Sequence, residues 1–218
     1  MMSESKRVVL ASSSPRRQAF LRELGLNFTV LPADINETPL PNEAPIALAK
    51  RLASSKARAV AQKLPADACA VIIAADTVVA MDETLLGKPE DKADASRMLL
   101  LLRDRDHEVH SAISVLNMAT GYAETIVNTT HVWMRNYSDT EIAIYVDSGD
   151  PLDKAGAYAI QHPSFDPAET ISGCLSGVMG LPLGDLRDLL AHAGVELPMD
   201  VVTVCEAQTH FTCCHRKR

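Results

Sequence analysis

A loop rich in hydroxyl and guanidinium groups lies near the amino terminus. Segment 12–17 reads Ser-Ser-Ser-Pro-Arg-Arg. Free N–H groups at the start of a helix carry partial positive charge, and arginine forks match phosphate oxygens. The segment therefore predicts a polyphosphate site formed by Ser14, Arg16 and Arg17. A capped helix with two solvated arginines uses the same residues, and residue types alone leave both interpretations open.

A carboxylate ends the most apolar stretch of the chain. Asp76 follows the uninterrupted apolar run 68–75 and precedes Thr77, which places Asp76 at the carboxyl end of a predicted buried strand. In open α/β sheets that edge forms the ligand crevice, where a carboxylate can hold a cation or accept a proton from water. An aspartate that only caps the next turn is the alternative. Further charged residues, each by itself typical of a solvated surface, are Asp34, Glu37, Lys56 and Lys88.

The carboxy-terminal segment collects side chains of the types that bind zinc, namely Cys205, His210, Cys213, Cys214 and His215. Their spacing matches no common zinc finger, and adjacent cysteines rarely share one tetrahedral ion. We predict a frayed strand or tail over 196–218, with no assigned role. The odd total of five cysteines is typical of a reducing, cytoplasmic location.

Alternating strand and helix patterns provide the framework for these groups. A β-branched run at 8–10 leads into a helix with Ser14 as N-cap, Pro15 in the first turn and Gly25 after the last turn. A strand over 28–33, an alanine-rich helix over 46–63 and a strand over 69–76 follow. The alternation predicts the α/β class.

The second half of the chain has equally clear local signals. The patterns predict a helix over 92–103, an antiparallel hairpin of 109–118 with 125–134, and a helix opened by the capping box of Ser138 and Glu141. The last predicted helix covers 185–193.

Composition limits the class of protein. The chain has 218 residues, a formal net charge of −7 and 47% apolar residues, which are typical of a folded globular protein. The longest apolar run is much shorter than the ~20 residues of a membrane-spanning helix, so we expect no membrane segment. An acidic chain is also a poor ligand for duplex nucleic acid, and we expect no stable nucleic-acid partner.

Several segments, in order, resemble the Maf family of nucleoside triphosphate pyrophosphatases, which are related in fold to the inosine triphosphatase (Ham1) enzymes. The resemblance covers about residues 8–190. The matching segments are 10–17, 34–37, 51–57, 75–79, 86–89, 154–161 and 178–183.

The resemblance implies a fold and a reaction. The fold is a long, mixed, twisted sheet flanked by helices with a central cleft, in a single two-lobed domain over 1–195, and the protein is a homodimer. The reaction is hydrolysis between the α and β phosphates, which releases a nucleoside monophosphate and pyrophosphate and requires Mg²⁺ or Mn²⁺. The cellular role is removal of aberrant nucleotides, with a link to cell division arrest.

The resemblance also implies roles for individual residues. Asp76 is the proton acceptor and holds the metal with Glu37. The residues that bind substrate are Ser14, Arg16, Arg17, Lys56, Thr77, Lys88 and Gln161.

The matches at Arg16, Thr77 and Gln161 favour dTTP, UTP and modified pyrimidine nucleotides, with the Gln161 amide reading the base. The family branch linked to 7-methyl-GTP carries tryptophan near the first arginine. His162 and Pro163 depart from the glycine that usually follows the glutamine. Pyrophosphatase activity on 7-methyl-GTP or another purine nucleotide is one alternative, and a non-catalytic, nucleotide- or nucleic-acid-binding regulator of division is another.

Overall fold

The computed structural model describes residues 7–82 and 84–217, with side chains up to residue 215. Within these ranges a mixed sheet of seven strands forms. The strands are β1 (Arg7–Leu10), β2 (Phe28–Val30), β3 (Ala70–Met81), β4 (Thr84–Leu86), β5 (Asp106–Asn117), β6 (Ala123–Met134) and β7 (Ala168–Ser172). Their order is β2-β1-β3-β5-β6-β7, with β4 also paired to β3. Only β1 pairs in parallel, with β2 and β3, so the predicted α/β class with a long mixed sheet is confirmed.

Helices flank this sheet. They are α1 (Pro15–Glu23), α2 (Pro45–Lys63), α3 (Lys92–Leu102), α4 (Asp139–Asp147), α5 (Leu175–Val178), α6 (Leu183–His192) and α7 (Val201–Thr209). Shorter 3-10 turns cover Asp150–Asp153, Ala155–Ala157 and Cys214–Lys217. The predicted hairpin is confirmed as the antiparallel pair β5 and β6.

Local capping signals explain several helix ends. Ser138 and Glu141 form the predicted capping box at the start of α4. Gly25 follows α1 with a φ of 76°, a conformation that glycine adopts without steric cost. Ser14 occupies the N-cap position of α1, but its side chain makes no capping hydrogen bond with any described residue. The predicted N-cap position of Ser14 is therefore confirmed, although Ser14 lines a cleft and its side chain does not cap the helix.

The central strand β3 is buried on both faces and is apolar at every position except two adjacent ones. On one face, Val71 and Ile73 pack with α1, α6 and α7, whereas Val79 farther along packs with α3 and α4. The opposite face packs against α2. Asp76 and Thr77 lie between these groups of buried residues, so a polar site is placed where two parts of the core meet.

We predicted that Asp76 ends its strand, but Asp76 lies near the middle of β3. The short strand β1 ends at Leu10, which pairs with Ile73. Beyond that point β3 continues because β5 pairs with it as far as Ala80. The sequence-based prediction was wrong because the strand boundary depends on antiparallel partners far along the chain. The position still opens onto a crevice, because β3 extends past the carboxyl end of β1.

The carboxy-terminal segment also differs from its prediction. No strand forms in its described part; instead the helix α7 covers Val201–Thr209. Val201, Val204 and Cys205 recur at helical spacing and are buried against α1 and α6, together with Cys213. The prediction of a frayed tail was therefore wrong, because this row of apolar residues packs the segment against the core. The prediction that the helix near 185–193 is the last one was wrong for the same reason. The division of the chain at residue 195 and the two-lobed shape stay predictions.

No helix in the described ranges is long and apolar enough to span a membrane.

Candidate active site

A cleft of about 620 Å³ opens where β3 passes beyond β1. The amino-terminal end of α1, the strand β3 and the loop after α5 form its walls. Of the predicted site residues, those that line it are Ser14, Arg16, Arg17, Glu37, Lys56, Asp76, Thr77 and Lys88.

Gln161 lies apart from this set. It lines an adjoining cavity of about 260 Å³. The two cavities share Arg16, Lys154, Ile160 and Met179 as lining residues. They therefore form one continuous recess, with a strongly charged part and a less polar extension.

An ion triad forms the charged centre of the cleft. Nζ of Lys56, on α2, lies 2.7 Å from Oδ1 of Asp76 and 2.8 Å from Oε1 of Glu37. The side chains of Lys56 and Asp76 are 11% and 9% exposed, whereas that of Glu37 is 56% exposed. The lysine thus holds two carboxylates at one place, one at the floor of the cleft and one at its rim.

The environment of Asp76 makes its carboxylate more basic than usual. Burial raises the pKa of Asp76 above its ordinary value of 3.8, whereas contact with Lys56 and the charge of Arg17 lower it in part. Burial disfavours the charged form because the carboxylate loses hydration. A carboxylate with a raised pKa is a better proton acceptor once it is ionised.

Arg17 is fixed beneath the cleft by hydrogen bonds to three elements. Its Nε donates to the Gly180 carbonyl at 2.9 Å, Nη1 to Ser12 Oγ at 3.2 Å and Nη2 to Thr77 Oγ1 at 3.3 Å. Burial lowers the pKa of the guanidinium, and the charge of Asp76 opposes that shift. Arg16 is exposed, and its guanidinium makes no hydrogen bond with any residue in the described ranges. The two adjacent arginines therefore differ in role: Arg17 joins the walls, and Arg16 is free to meet a ligand.

We expect this difference to appear in stability. Arg17→Lys loses the planar fork that reaches three acceptors and should lower the free energy of unfolding by about 1–3 kcal/mol. Arg16→Lys is the matched control and should stay within about 0.5 kcal/mol of the wild type. Denaturant unfolding monitored by circular dichroism measures both. Equal stability of the two variants would show that the Arg17 hydrogen bonds do not hold the cleft together.

Lys88 and Lys154 also line the cleft, and they differ in how their charges are paired. The Gly87 carbonyl accepts a hydrogen bond from Gly156 N at 3.0 Å, which ties the Lys88 loop to the turn at Ala155–Ala157. Nζ of Lys154 contacts the carboxylates of Asp150 and Asp153 at 3.0 and 2.7 Å. Lys88 makes no ion pair with the residues described here, so its charge is available to an anion.

Sequence reasoning missed several lining or supporting residues. Ser111 Oγ lies 3.0 Å from Thr77 Oγ1 and donates to the Gly177 carbonyl at 2.6 Å, which links β3 and β5 to the loop at the cleft. Ser12 and Lys154 belong to segments that resemble the family, but the sequence predicts no role for either. For Ser111 the sequence holds no local signal, because its partners are distant along the chain.

The carboxylates of Asp76 and Glu37 are the residues that fit a divalent cation. Both are held at one point by Lys56 Nζ. Mg²⁺ is commonly bound through one or two carboxylates, with phosphate oxygens and water completing its shell. Among the described residues no group of three or more His, Cys, Asp or Glu could hold a metal ion. The pair therefore fits a hard cation that arrives with an anionic ligand, and a preformed metal cage is not present in the described ranges.

Comparisons with known proteins agree with this chemistry. A family model described as Maf-like protein matches residues 7–193. A dTTP/UTP pyrophosphatase of Myxococcus xanthus (strain DK1622) is 44% identical over 198 residues, which cover 91% of this chain and 98% of the relative. One of the same name from Pelotomaculum thermopropionicum is 40% identical and covers 87% and 97%. A third, from Anaeromyxobacter dehalogenans (strain 2CP-1), is 44% identical and covers 89% and 97%.

A solved structure, the Staphylococcus aureus Ham1 protein, shares 16% identity at a TM-score of 0.39 over 60% of this chain and 73% of that chain. That similarity is too low to support a conclusion.

Proposed function

The chain belongs to the Maf family, and from that premise we propose that it hydrolyses dTTP and UTP to the nucleoside monophosphate and pyrophosphate. The relatives of 40–44% identity that carry this activity in their names align over almost their whole length. The observation that carries the proposal is the triad of Lys56, Asp76 and Glu37 beside the amino terminus of α1. A site that only bound polyphosphate would gain nothing from two carboxylates against the same anion.

The cleft can bind a triphosphate along its charged walls. The N–H groups in the first turn of α1 are free of helical partners and carry partial positive charge. Arg16 and Lys88 line the same space, and Ser14 adds a hydroxyl. These groups neutralise the phosphates and orient them, which lowers the barrier to attack by a positioned water.

Asp76 accepts a proton from the attacking water in this proposal. Its raised pKa makes it a stronger base than an exposed aspartate, and its contact with Lys56 keeps the carboxylate oriented. Attack at the α phosphorus then releases pyrophosphate. Mg²⁺ or Mn²⁺, when bound by Asp76 and Glu37, would supply positive charge on the phosphates and lower the pKa of water.

A pyrophosphate-release assay tests the activity and its cation together. With Mg²⁺ or Mn²⁺ we expect turnover of dTTP and UTP at least about tenfold above ATP and CTP, and a fall of at least about 10²-fold with chelator. Adding the cation back is the control for chelator damage. Equal turnover with and without chelator would contradict the cation requirement. Absence of pyrophosphate release from every substrate would contradict the proposed pyrophosphatase activity.

The same panel separates the other candidates. Faster turnover of 7-methyl-GTP or another purine would keep the reaction but place the specificity in the loop of His162 and Pro163. Faster turnover of modified pyrimidine triphosphates would support the removal of aberrant nucleotides as the cellular role. Tight nucleotide or nucleic-acid binding without turnover would support a regulator of division instead.

We also propose that the protein is a cytoplasmic homodimer. The family resemblance supports the dimer, and the five free cysteines are consistent with a reducing compartment. Light scattering coupled to size-exclusion chromatography measures the oligomeric state directly, and a monomer at micromolar concentration would contradict the dimer.

A further inference from the structure

The side chain of Gln161 is held by the end of α7. Its Nε2 donates to the backbone carbonyls of Gln208 and Thr209, at 2.9 and 3.0 Å. The last carbonyls of a helix have no partners within the helix, so they are natural acceptors for this amide. His210 ends α7 in the left-handed conformation, with a φ of 59°, and its N–H donates to the Glu206 carbonyl.

These contacts fix which way the amide faces. A glutamine amide has two N–H donors on nitrogen and two acceptor sites on oxygen. Both donors of Gln161 point to carbonyl oxygens, and a rotated amide would place its oxygen against those same oxygens. Oε1 has no hydrogen-bond partner among the residues that the structure describes. The Gln161 amide can therefore only accept a hydrogen bond from a ligand, through Oε1, and has no free N–H to donate.

The cavity around Gln161 has the chemistry of a site for a flat heterocycle. Ala159, Ile160, Pro163 and Met179 give it an apolar surface, and Asp150 and His162 are polar residues that line it together with Gln161. It adjoins the cationic cleft and shares Arg16 and Lys154 with it. A ligand with phosphates in the cleft can thus place its base in this extension.

We propose that α7 sets the base selectivity of the site by locking Gln161 as a hydrogen-bond acceptor. This inference rests on the proposed nucleotide pyrophosphatase function. Uracil and thymine carry a ring N3–H that can donate to Oε1, whereas cytosine has an unprotonated N3 at the same place. A mobile amide could rotate and pair with either base. With the amide held in place, however, Oε1 of Gln161 faces N3 of cytosine, and two acceptors cannot form a hydrogen bond. Sites built to hydrogen-bond one group reject ligands that leave it unpaired.

The helix is rigid enough for this role because it belongs to the core. Val201, Val204 and Cys205 are buried against α1 and α6. At its start, Oδ2 of Asp200 accepts from Thr203 N at 2.8 Å. Helix α7 lies beyond residues 7–193, which match the family model, so the lock is built from residues outside that match.

The first test uses the wild-type protein and needs no variant. We expect kcat/KM for UTP to exceed that for CTP and for N3-methyl-UTP by at least about tenfold, because both analogues lack the N3–H. Similar values for all three substrates would overturn the inference while leaving the pyrophosphatase function intact. Absence of turnover with every triphosphate would overturn both.

The second test changes the lock without changing Gln161. A β-branched residue is strained at the left-handed position of His210, whereas glycine adopts it freely. His210→Val should displace the end of α7 and reduce the UTP-to-CTP ratio of kcat/KM at least about fivefold, mainly through KM, because Gln161 lies outside the cleft that binds the phosphates. His210→Gly is the matched control and should keep the wild-type ratio.

Asp200→Ala offers a second route, because it removes the N-cap at the other end of α7 and keeps the test usable if His210→Val does not fold. Thermal unfolding shows whether each variant is folded at the assay temperature. An unchanged ratio in the folded variants would overturn the role of α7.

Discussion

Replacing Asp76 with asparagine is expected to lower kcat for dTTP by about 10³-fold or more. Asparagine keeps the size of the side chain and an oxygen that Lys56 can donate to, but it cannot accept a proton from water. Loss of a positioned general base typically costs about 10²–10⁴-fold, and loss of a cation ligand adds to that. Steady-state pyrophosphate release with saturating Mg²⁺ measures the change.

Stability provides the control for this variant. Because burial raises the folded-state pKa of Asp76 above its unfolded value, the folded protein binds this proton more tightly. The contribution of Asp76 to stability is therefore present at low pH and falls as pH rises through the range between the two pKa values. At neutral pH, Asp76→Asn should unfold at the same or a higher denaturant concentration than the wild type. A large loss of stability would instead mean that the carboxylate is structural.

Asp67 gives a matched comparison, because it is exposed and lies just before β3. Asp67→Asn should leave kcat and unfolding unchanged. A kcat of Asp76→Asn within about tenfold of wild type would contradict the general-base role.

The elements that sequence predicted correctly are those whose signals are local. The capping box at Ser138 and the alternating strands of the β5 and β6 hairpin are set by side chains a few residues apart. The length of β3 is different, because it depends on pairing with β5 and β4. The uninterrupted run of apolar residues ends before Asp76, but the backbone hydrogen bonds between β3 and β5 continue beyond it.

The candidate site shows the same division. The types and order of the polar residues indicated most of those that line the charged cleft. They did not indicate that one lysine, Lys56, would bridge Asp76 and Glu37, because that contact joins a loop, a helix and a strand. The contact of Gln161 with α7 was missed for a further reason. The histidines and cysteines of the last segment are typical of metal sites, but its structure depends on the apolar residues of α7 that pack against the core.

Replacing Lys56 with glutamine should change the pH dependence of the reaction as well as its rate. Contact with Lys56 is the largest effect that lowers the pKa of Asp76, against the effect of burial that raises it. Without that positive charge, the pKa of Asp76 rises further, and the carboxylate is protonated over a wider range of acidic pH. The acid limb of kcat/KM for dTTP should therefore move to higher pH.

The expected magnitude follows from both roles of the lysine. We expect kcat/KM to fall about 10²-fold near neutral pH and less at alkaline pH, where Asp76 ionises again even without Lys56. Profiles of kcat/KM from about pH 5 to about pH 9 measure the displacement. Lys50→Gln, at an exposed position on the same helix, is the matched control and should leave the profile unchanged. A lower rate with an unmoved acid limb would mean that Lys56 acts on the phosphates alone, because only a charge that stabilises the ionised carboxylate can shift that limb.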